Sequence, residues 1–211
     1  MTHISRIVTS LLLSCMTLSA TAGNFWSQFD KQAYRTRLWG ISAAYVTKSY
    51  HFDSGRQDIW GRDKIMNGIQ FGIPLQPYFG YGLGLNTGIF YEHFFSTMDD
   101  IHFYEHNLNI PLMAEWRVPL GRELSVFVNG GISMDCGLRA EYVFPDNLFD
   151  AIGMKYGKDG MPKRVQFNGI AGGGVQWKAV QISAYGSFGI TDATDHGGQQ
   201  RKVNLRLSVL F

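Results

Sequence analysis

The stretch Lys202-Val203-Asn204-Leu205-Arg206-Leu207-Ser208-Val209-Leu210-Phe211 decides the fold. Val203, Leu205, Leu207, Val209 and Phe211 are apolar at every second position, with Lys202, Asn204, Arg206 and Ser208 between them. Successive side chains of a strand point to opposite faces, so a period of two describes a strand with one apolar face. The period recurs upstream. Tyr81, Leu83, Leu85, Thr87, Ile89 and Tyr91 alternate with Gly82, Gly84, Asn86, Gly88 and Glu92. Leu108, Ile110, Leu112, Ala114, Trp116 and Val118 alternate with Asn107, Asn109, Glu115 and Arg117. Similar runs start at Ile69, Leu124, Val165 and Val180, and a vaguer one near Leu38 carries Trp39, Ile41, Ala43 and Tyr45. That makes eight strands. No segment after Gly23 sustains a period of 3.6 over a dozen residues.

The connections alternate in length. Short links fall near 76–79, 119–122 and 178–179; long ones fall at 48–64, 96–103, 135–163 and 191–200. Short turns at one end and long loops at the other are the pattern of an up-and-down membrane barrel. The apolar phase of all eight runs has no charged residue, while the opposite phase is mostly Gly, Ser, Asn and Gln. A water-facing surface carries far more charge than that. Trp39, Tyr81, Trp116, Trp177 and Phe211 collect near the short-turn end as an interfacial aromatic girdle. The reading is an all-β chain: an eight-stranded antiparallel up-and-down transmembrane β-barrel over 37–211, apolar face toward lipid. Hydrocarbon offers no partner to free N–H and C=O groups, so the last strand must close on the first. Pro74 and Pro111 fall inside strands, where each removes a ladder donor, and bulges or local water-lined irregularity are expected there.

The 211 residues are 45% hydrophobic and 17% charged, with 25 glycines, two cysteines and a net charge of +2. These values exclude a disulfide scaffold and a disordered chain, and no basic stripe argues for nucleic acid. Residues 1–22 read as a signal peptide: Arg6 gives the positive n-region, an apolar run follows, and Ala20-Thr21-Ala22 is a small-x-small cleavage site. Lipidation at Cys15 is the alternative, through Leu12-Leu13-Ser14-Cys15. Cleavage after Ala22 leaves a periplasmic segment at 23–36, one cysteine (Cys136, to which no role is assigned) and four surface loops at the long connections.

Leu108-Asn109-Ile110-Pro111-Leu112, the glycine-rich run from Phe167 to Val175, Tyr185-Gly186-Ser187-Phe188-Gly189-Ile190-Thr191-Asp192 and the run from Val203 to Phe211 together resemble the small outer-membrane β-barrel proteins. These are often labelled porin-family and are structurally akin to OmpA/OmpX-type barrels. The resemblance covers essentially the whole mature chain and implies location in the outer membrane of a Gram-negative bacterium. It also implies that Val203, Leu205, Leu207, Val209 and Phe211 serve as the C-terminal insertion signal read by the barrel-assembly machinery. The family has no agreed catalytic residues, so no catalytic residue and no cofactor is implied.

Charged residues of the inward phase are Glu92, Glu115, Arg117, Lys202 and Arg206. In a low-dielectric lumen they must pair, and a polar plug is the expected arrangement. A polar track for small solutes is the alternative, although eight strands leave an interior only wide enough for side chains. The mature histidines gather at the long-loop end. His102 and His106, with Asp99 and Asp100, are weak metal candidates set against an ordinary solvated rim. His93 has the outward phase and Ser96 and Thr97 follow it, which is the slender case for a lipid-modifying enzyme. In loop 135–163 the outward phase is expected to run on through Leu138, Ala140, Tyr142 and Phe144. Asp146-Asn147 is expected to cap a short helix through Leu148, Phe149, Ile152 and Met154. That loop is read as a lid or as an arm for a surface or host ligand. The partners expected are outer-membrane lipid, the assembly machinery and such a ligand, with no nucleic acid. The function expected is structural or surface-interactive, with narrow pore and lipid-modifying enzyme as alternatives.

Overall fold

Strands that alternate apolar and polar residues can satisfy both their backbone and their faces in lipid only by closing into a ring. The computed structural model, which describes residues 39–51, 65–98, 101–120, 123–143, 151–157, 162–194 and 197–211, shows that ring. Its strands are β1 (Gly40–His51), β2 (Met66–Leu75), β3 (Tyr78–Gly80), β4 (Leu83–Met98), β5 (Ile101–Pro119), β6 (Leu124–Val143), β7 (Ala151–Met154), β8 (Val165–Trp177), β9 (Val180–Gly189) and β10 (Gln199–Leu210). Eight walls run β1-β2-β4-β5-β6-β8-β9-β10, every pair antiparallel, and β10 closes on β1 from Gly40 opposite Leu210 to His51 opposite Gln199. The expected all-β, eight-stranded closed barrel is the structure observed.

β3 continues β2 and is not a separate wall. Pro74 stands opposite Gly88 and Tyr78 opposite Gly84 in one unshifted register. Between them the Leu85 N–H donates to the Pro77 carbonyl at 2.9 Å. The reversal falls at Tyr81 (φ 52°) and Gly82 (φ 74°), two successive left-handed residues whose twist matches a two-residue hairpin. The short link expected at 76–79 therefore lies inside the strand. Pro77 removes one ladder donor without turning the chain.

No bulge forms at Pro74 or Pro111, and the expected irregularity is confined to the β4 side of Pro111. Pro111 stands opposite Ser133 in unbroken register with β6. On the β4 side the ladder lapses only opposite Gly88 and Ile89, and the Thr87 hydroxyl donates to the Pro111 carbonyl at 2.6 Å. The bulge lies higher, where His106 faces Arg139 and Asn107 faces Gly137, leaving Leu138 as the extra residue. One extra residue flips every later side chain. Ala140, expected outside, is buried in the lumen; the side chain of Tyr142 and all of Phe144 lie outside the described residues.

Loop boundaries also move. β1 extends to His51, β4 and β5 reach Met98 and Ile101, and β6 reaches Val143, so the loops expected at 48–64, 96–103 and 135–163 begin later or shrink. Ile152 and Met154, expected on a helix, belong to β7, which pairs with β6 through Ile152 opposite Tyr142. The expected signal peptide (1–22, with Cys15), the periplasmic segment 23–36, Asp99, Asp100 and the Asp146-Asn147 cap lie outside the described residues.

Candidate functional site

Inside the ring the lumen-phase side chains meet in layers. At the turn end, Arg117 donates to Glu115 at 2.7 Å, Tyr78 and Asn86 donate to the same carboxylate, and Arg117 also binds Gln176. Higher, the Arg206 guanidinium lies 3.9 Å from the Phe90 ring centre and 4.8 Å from that of Tyr185, and donates to Gln70 at 3.0 Å. Gln70 donates to Glu92 at 2.8 Å. Lys202 then joins Glu92 at 3.0 Å to Asp135 at 2.8 Å. Topmost, Lys48 pairs with Glu105 at 2.7 Å. All eight of these charged groups are buried, four cations against four carboxylates. Neutrality is what a lumen without solvent requires.

Lys48, Arg117 and Arg206 each lie against two rings: Tyr50 and Phe94, Tyr78 and Phe127, Phe90 and Tyr185. Such contacts contribute about 0.5–2 kcal/mol each. The rings fit because bare backbone faces them. An added Cβ at Gly72 would lie 2.5 Å from the Phe90 ring and 2.4 Å from the Ile89 carbonyl. Around and above the Lys48–Glu105 pair, Val46, Tyr50, Met66, Phe94, Phe103, Ala140 and Ala193 form an apolar cap. Tyr156, from the turn after β7, packs on that cap and donates to the Arg139 carbonyl at 3.2 Å. Burial and the nearby Glu105 carboxylate push its phenol well above the usual tyrosine range. A cavity of about 20 Å³ remains beside Glu92, Lys202 and Arg206, room for one water.

The structure thus gathers Glu92, Glu115, Arg117, Lys202 and Arg206 in the lumen, yet Arg206 meets no carboxylate among the described residues. Sequence reading missed Lys48 and Asp135 because it assigned them to loops, and Glu105 because it fell between the 96–103 loop and the strand read from Leu108. It also passed over the inward rings. Extending the inward phase of β1, β5 and β6 by a few residues finds all three charges.

Outside, Trp39, Tyr81, Trp116, Trp177 and Phe211 are exposed at the turn end, and the Trp39 and Phe211 rings meet across the seam at 5.1 Å. Val203, Leu205, Leu207 and Phe211 are exposed along β10. His93 and His106 face each other on the outer wall of β4 and β5. His102 lies higher, with the Thr97 hydroxyl 3.1 Å from its Nδ1, whereas Ser96 falls on the lumen phase. No three His, Cys, Asp or Glu side chains converge among the described residues.

No protein-family model matches the chain, and no curated protein matches it in sequence. Among solved structures, Neisserial surface protein A is 9% identical, covering 82% of this chain and 97% of its own, with a TM-score of 0.51. The chain has the fold of the small outer-membrane β-barrels. Ail, the attachment invasion locus protein of Yersinia pestis, solved in complex with the heparin analogue sucrose octasulfate, is 12% identical, covering 83% of this chain and 99% of its own at a TM-score of 0.47. The outer membrane enzyme PagL is 8% identical over 81% and 99% at a TM-score of 0.47. At such identities the likeness is one of fold. A closed barrel with an apolar outer wall is the β-form that spans a bacterial outer membrane, and this outer-membrane barrel resides there.

Proposed function

We propose that this outer-membrane barrel is a non-conducting, non-catalytic scaffold whose role is structural and interactive, exerted through the part of the sheet that stands above the bilayer. One observation carries the reading. A tilted strand crosses in about 9–11 residues, and β9 has 10 residues, but β4, β5 and β6 have 16, 19 and 20. These three long strands are neighbours, and β7 extends them on the β6 side. An upright sheet on one side of the mouth presents backbone edges and side chains far beyond what anchoring requires. The eight lumen charges, with Glu92, Glu115, Arg117, Lys202 and Arg206 among them, act as the plug. The terminal run from Val203 to Phe211 acts as the insertion signal for the assembly machinery.

The test removes residues 141–158 and follows two readouts. Heat-modifiable gel migration should remain that of a folded barrel, while adhesion of expressing cells to immobilised matrix and to cell monolayers should fall to the level of cells lacking the protein. Adhesion that survives the deletion makes the extension a mere lid. Steady conductance in planar bilayers would instead support the narrow pore. A changed outer-membrane lipid profile on replacing His93 by alanine would support the enzyme.

A further inference from the structure

The outer wall of β4 and β5 holds a convergence that neither anchoring nor the plug uses. The β4–β5 register sets His93 directly opposite His106. Their rings approach to 4.6 Å between centres, with 3.4 Å between the two Nδ1 atoms. The Tyr91 hydroxyl reaches the same Nδ1 of His106 at 2.5 Å. An imidazole nitrogen carries either one proton or one lone pair, so His106 Nδ1 cannot fully serve both neighbours. The Tyr91 hydroxyl and His93 Nδ1 thus both meet His106 Nδ1, which a single proton or lone pair cannot fully satisfy.

We propose that Tyr91, His93 and His106 form a binding site for a divalent transition-metal ion on the outer wall of the barrel. Zinc–imidazole bonds run about 2.0–2.1 Å, and two of them spanning a 3.4 Å nitrogen separation subtend about 110°, the tetrahedral angle. Imidazole ligands suit zinc and copper, with Cu²⁺ binding the more tightly at a given nitrogen site. His93 and His106 supply the nitrogens, and the Tyr91 oxygen swings outward as the third donor. The rings are held in place: His93 stacks on Tyr104 at 5.8 Å and 10°, and Tyr91 packs against His106 at 5.9 Å. The nearest fixed cation, Arg139 opposite His106, is engaged by Glu141 at 2.6 Å, which offsets its repulsion of an incoming ion.

The height on the wall suits a charged ligand. His106 lies ten residues above Trp116 of the girdle, as Tyr91 lies ten above Tyr81. At about 3.4 Å per residue and a 45° tilt this is about 24 Å, the height of the apolar band. The site therefore sits at the outer margin of the hydrocarbon, where water or a lipid phosphate oxygen fills the remaining positions. Because ligating imidazoles must be neutral, binding weakens as protons compete.

The experiment titrates Zn²⁺ into untagged, folded protein in detergent micelles at neutral pH by calorimetry, and records the electron paramagnetic resonance spectrum with Cu²⁺. One site is expected, with two imidazole nitrogens in the copper spectrum. H93A and H106A should each weaken Zn²⁺ binding by at least about tenfold, Y91F by less, and H102A not at all. Heat-modifiable migration verifies that each variant is folded. Should H106A not fold, H93A and the wild-type nitrogen count still decide. Absence of binding, a one-nitrogen spectrum, wild-type affinity in H93A, or an equal loss in H102A overturns the site.

Discussion

Replacing Lys202 by methionine tests whether the lumen is held by charge pairing or merely filled. Methionine keeps most of the buried stem and removes the ammonium. That ammonium is 3.0 Å from Glu92 and 2.8 Å from Asp135, so two buried carboxylates lose a partner together. Breaking a buried pair from one side costs about 3–5 kcal/mol, because the other charge is left uncompensated. The two carboxylates are not left alike. Asp135 keeps amide donors from Asn109 at 2.6 Å, Asn168 at 2.8 Å and Gln200 at 2.5 Å. Glu92 keeps Gln70 at 2.8 Å. Most of the cost should therefore reside on Glu92, and E92Q added to K202M should recover more stability than D135N added to it. The assay is urea unfolding in phospholipid vesicles, followed by tryptophan fluorescence and heat-modifiable migration. A loss below about 1 kcal/mol for K202M, or a larger rescue from D135N than from E92Q, refutes the pairing account.

Two further outcomes follow from the walls. Leu205 is exposed on β10, six residues from Phe211 and so near mid-bilayer; L205R should cost about 2–4 kcal/mol in the same titration, and a neutral result would mean that this face does not meet lipid. G72V must push against the Ile89 carbonyl and the Phe90 ring and should cost about 1–3 kcal/mol, whereas G186A, with nothing within 4 Å of the added carbon, should be near neutral. Equal costs at the two glycines would show that the packing of Phe90 against the β2 backbone is incidental.

How much of this was legible in the sequence depended on whether a feature is periodic. Alternation gave strand number, face and closure, since a period of two is a property of every wall and survives local irregularity. Strand ends were misjudged because polar residues signal a loop and a lumen equally well. Lys48, Glu105 and Asp135 look like rim residues by type, and only their phase marks them as inward. Gln76-Pro77 was read as a turn, because the missing donor of a proline says nothing of whether the next residue turns; the left-handed φ of Tyr81 is invisible in a tyrosine. The bulge at Leu138 left no compositional trace and reversed the face of Ala140. Phe90 and Phe94 fill the inside, where an apolar residue in the polar phase reads as noise until the facing Gly72 and Gly68 are recognised as the space for them.

The lumen and the outer histidines are tied together by the same three long strands. Glu92 and His93 are successive residues of β4, as Glu105 and His106 are of β5, so the pleat sends the carboxylates inward and the imidazoles outward. Each carboxylate anchors its strand to a cation across the lumen, Glu92 to Lys202 and Glu105 to Lys48. Those ties fix the backbone from which the two imidazoles project, and with it the spacing a metal ion requires. Loss of the plug should therefore loosen the outer pair, while loss of the outer pair leaves the plug intact. K202M would lower Zn²⁺ affinity even where it remains folded, and H93A would leave urea stability unchanged. Deleting residues 141–158 removes Glu141 but spares His93, His106 and Tyr91. Binding of metal and adhesion to surfaces can thus fail separately, and a barrel that lost both through any one of these changes would point to general unfolding and not to either role.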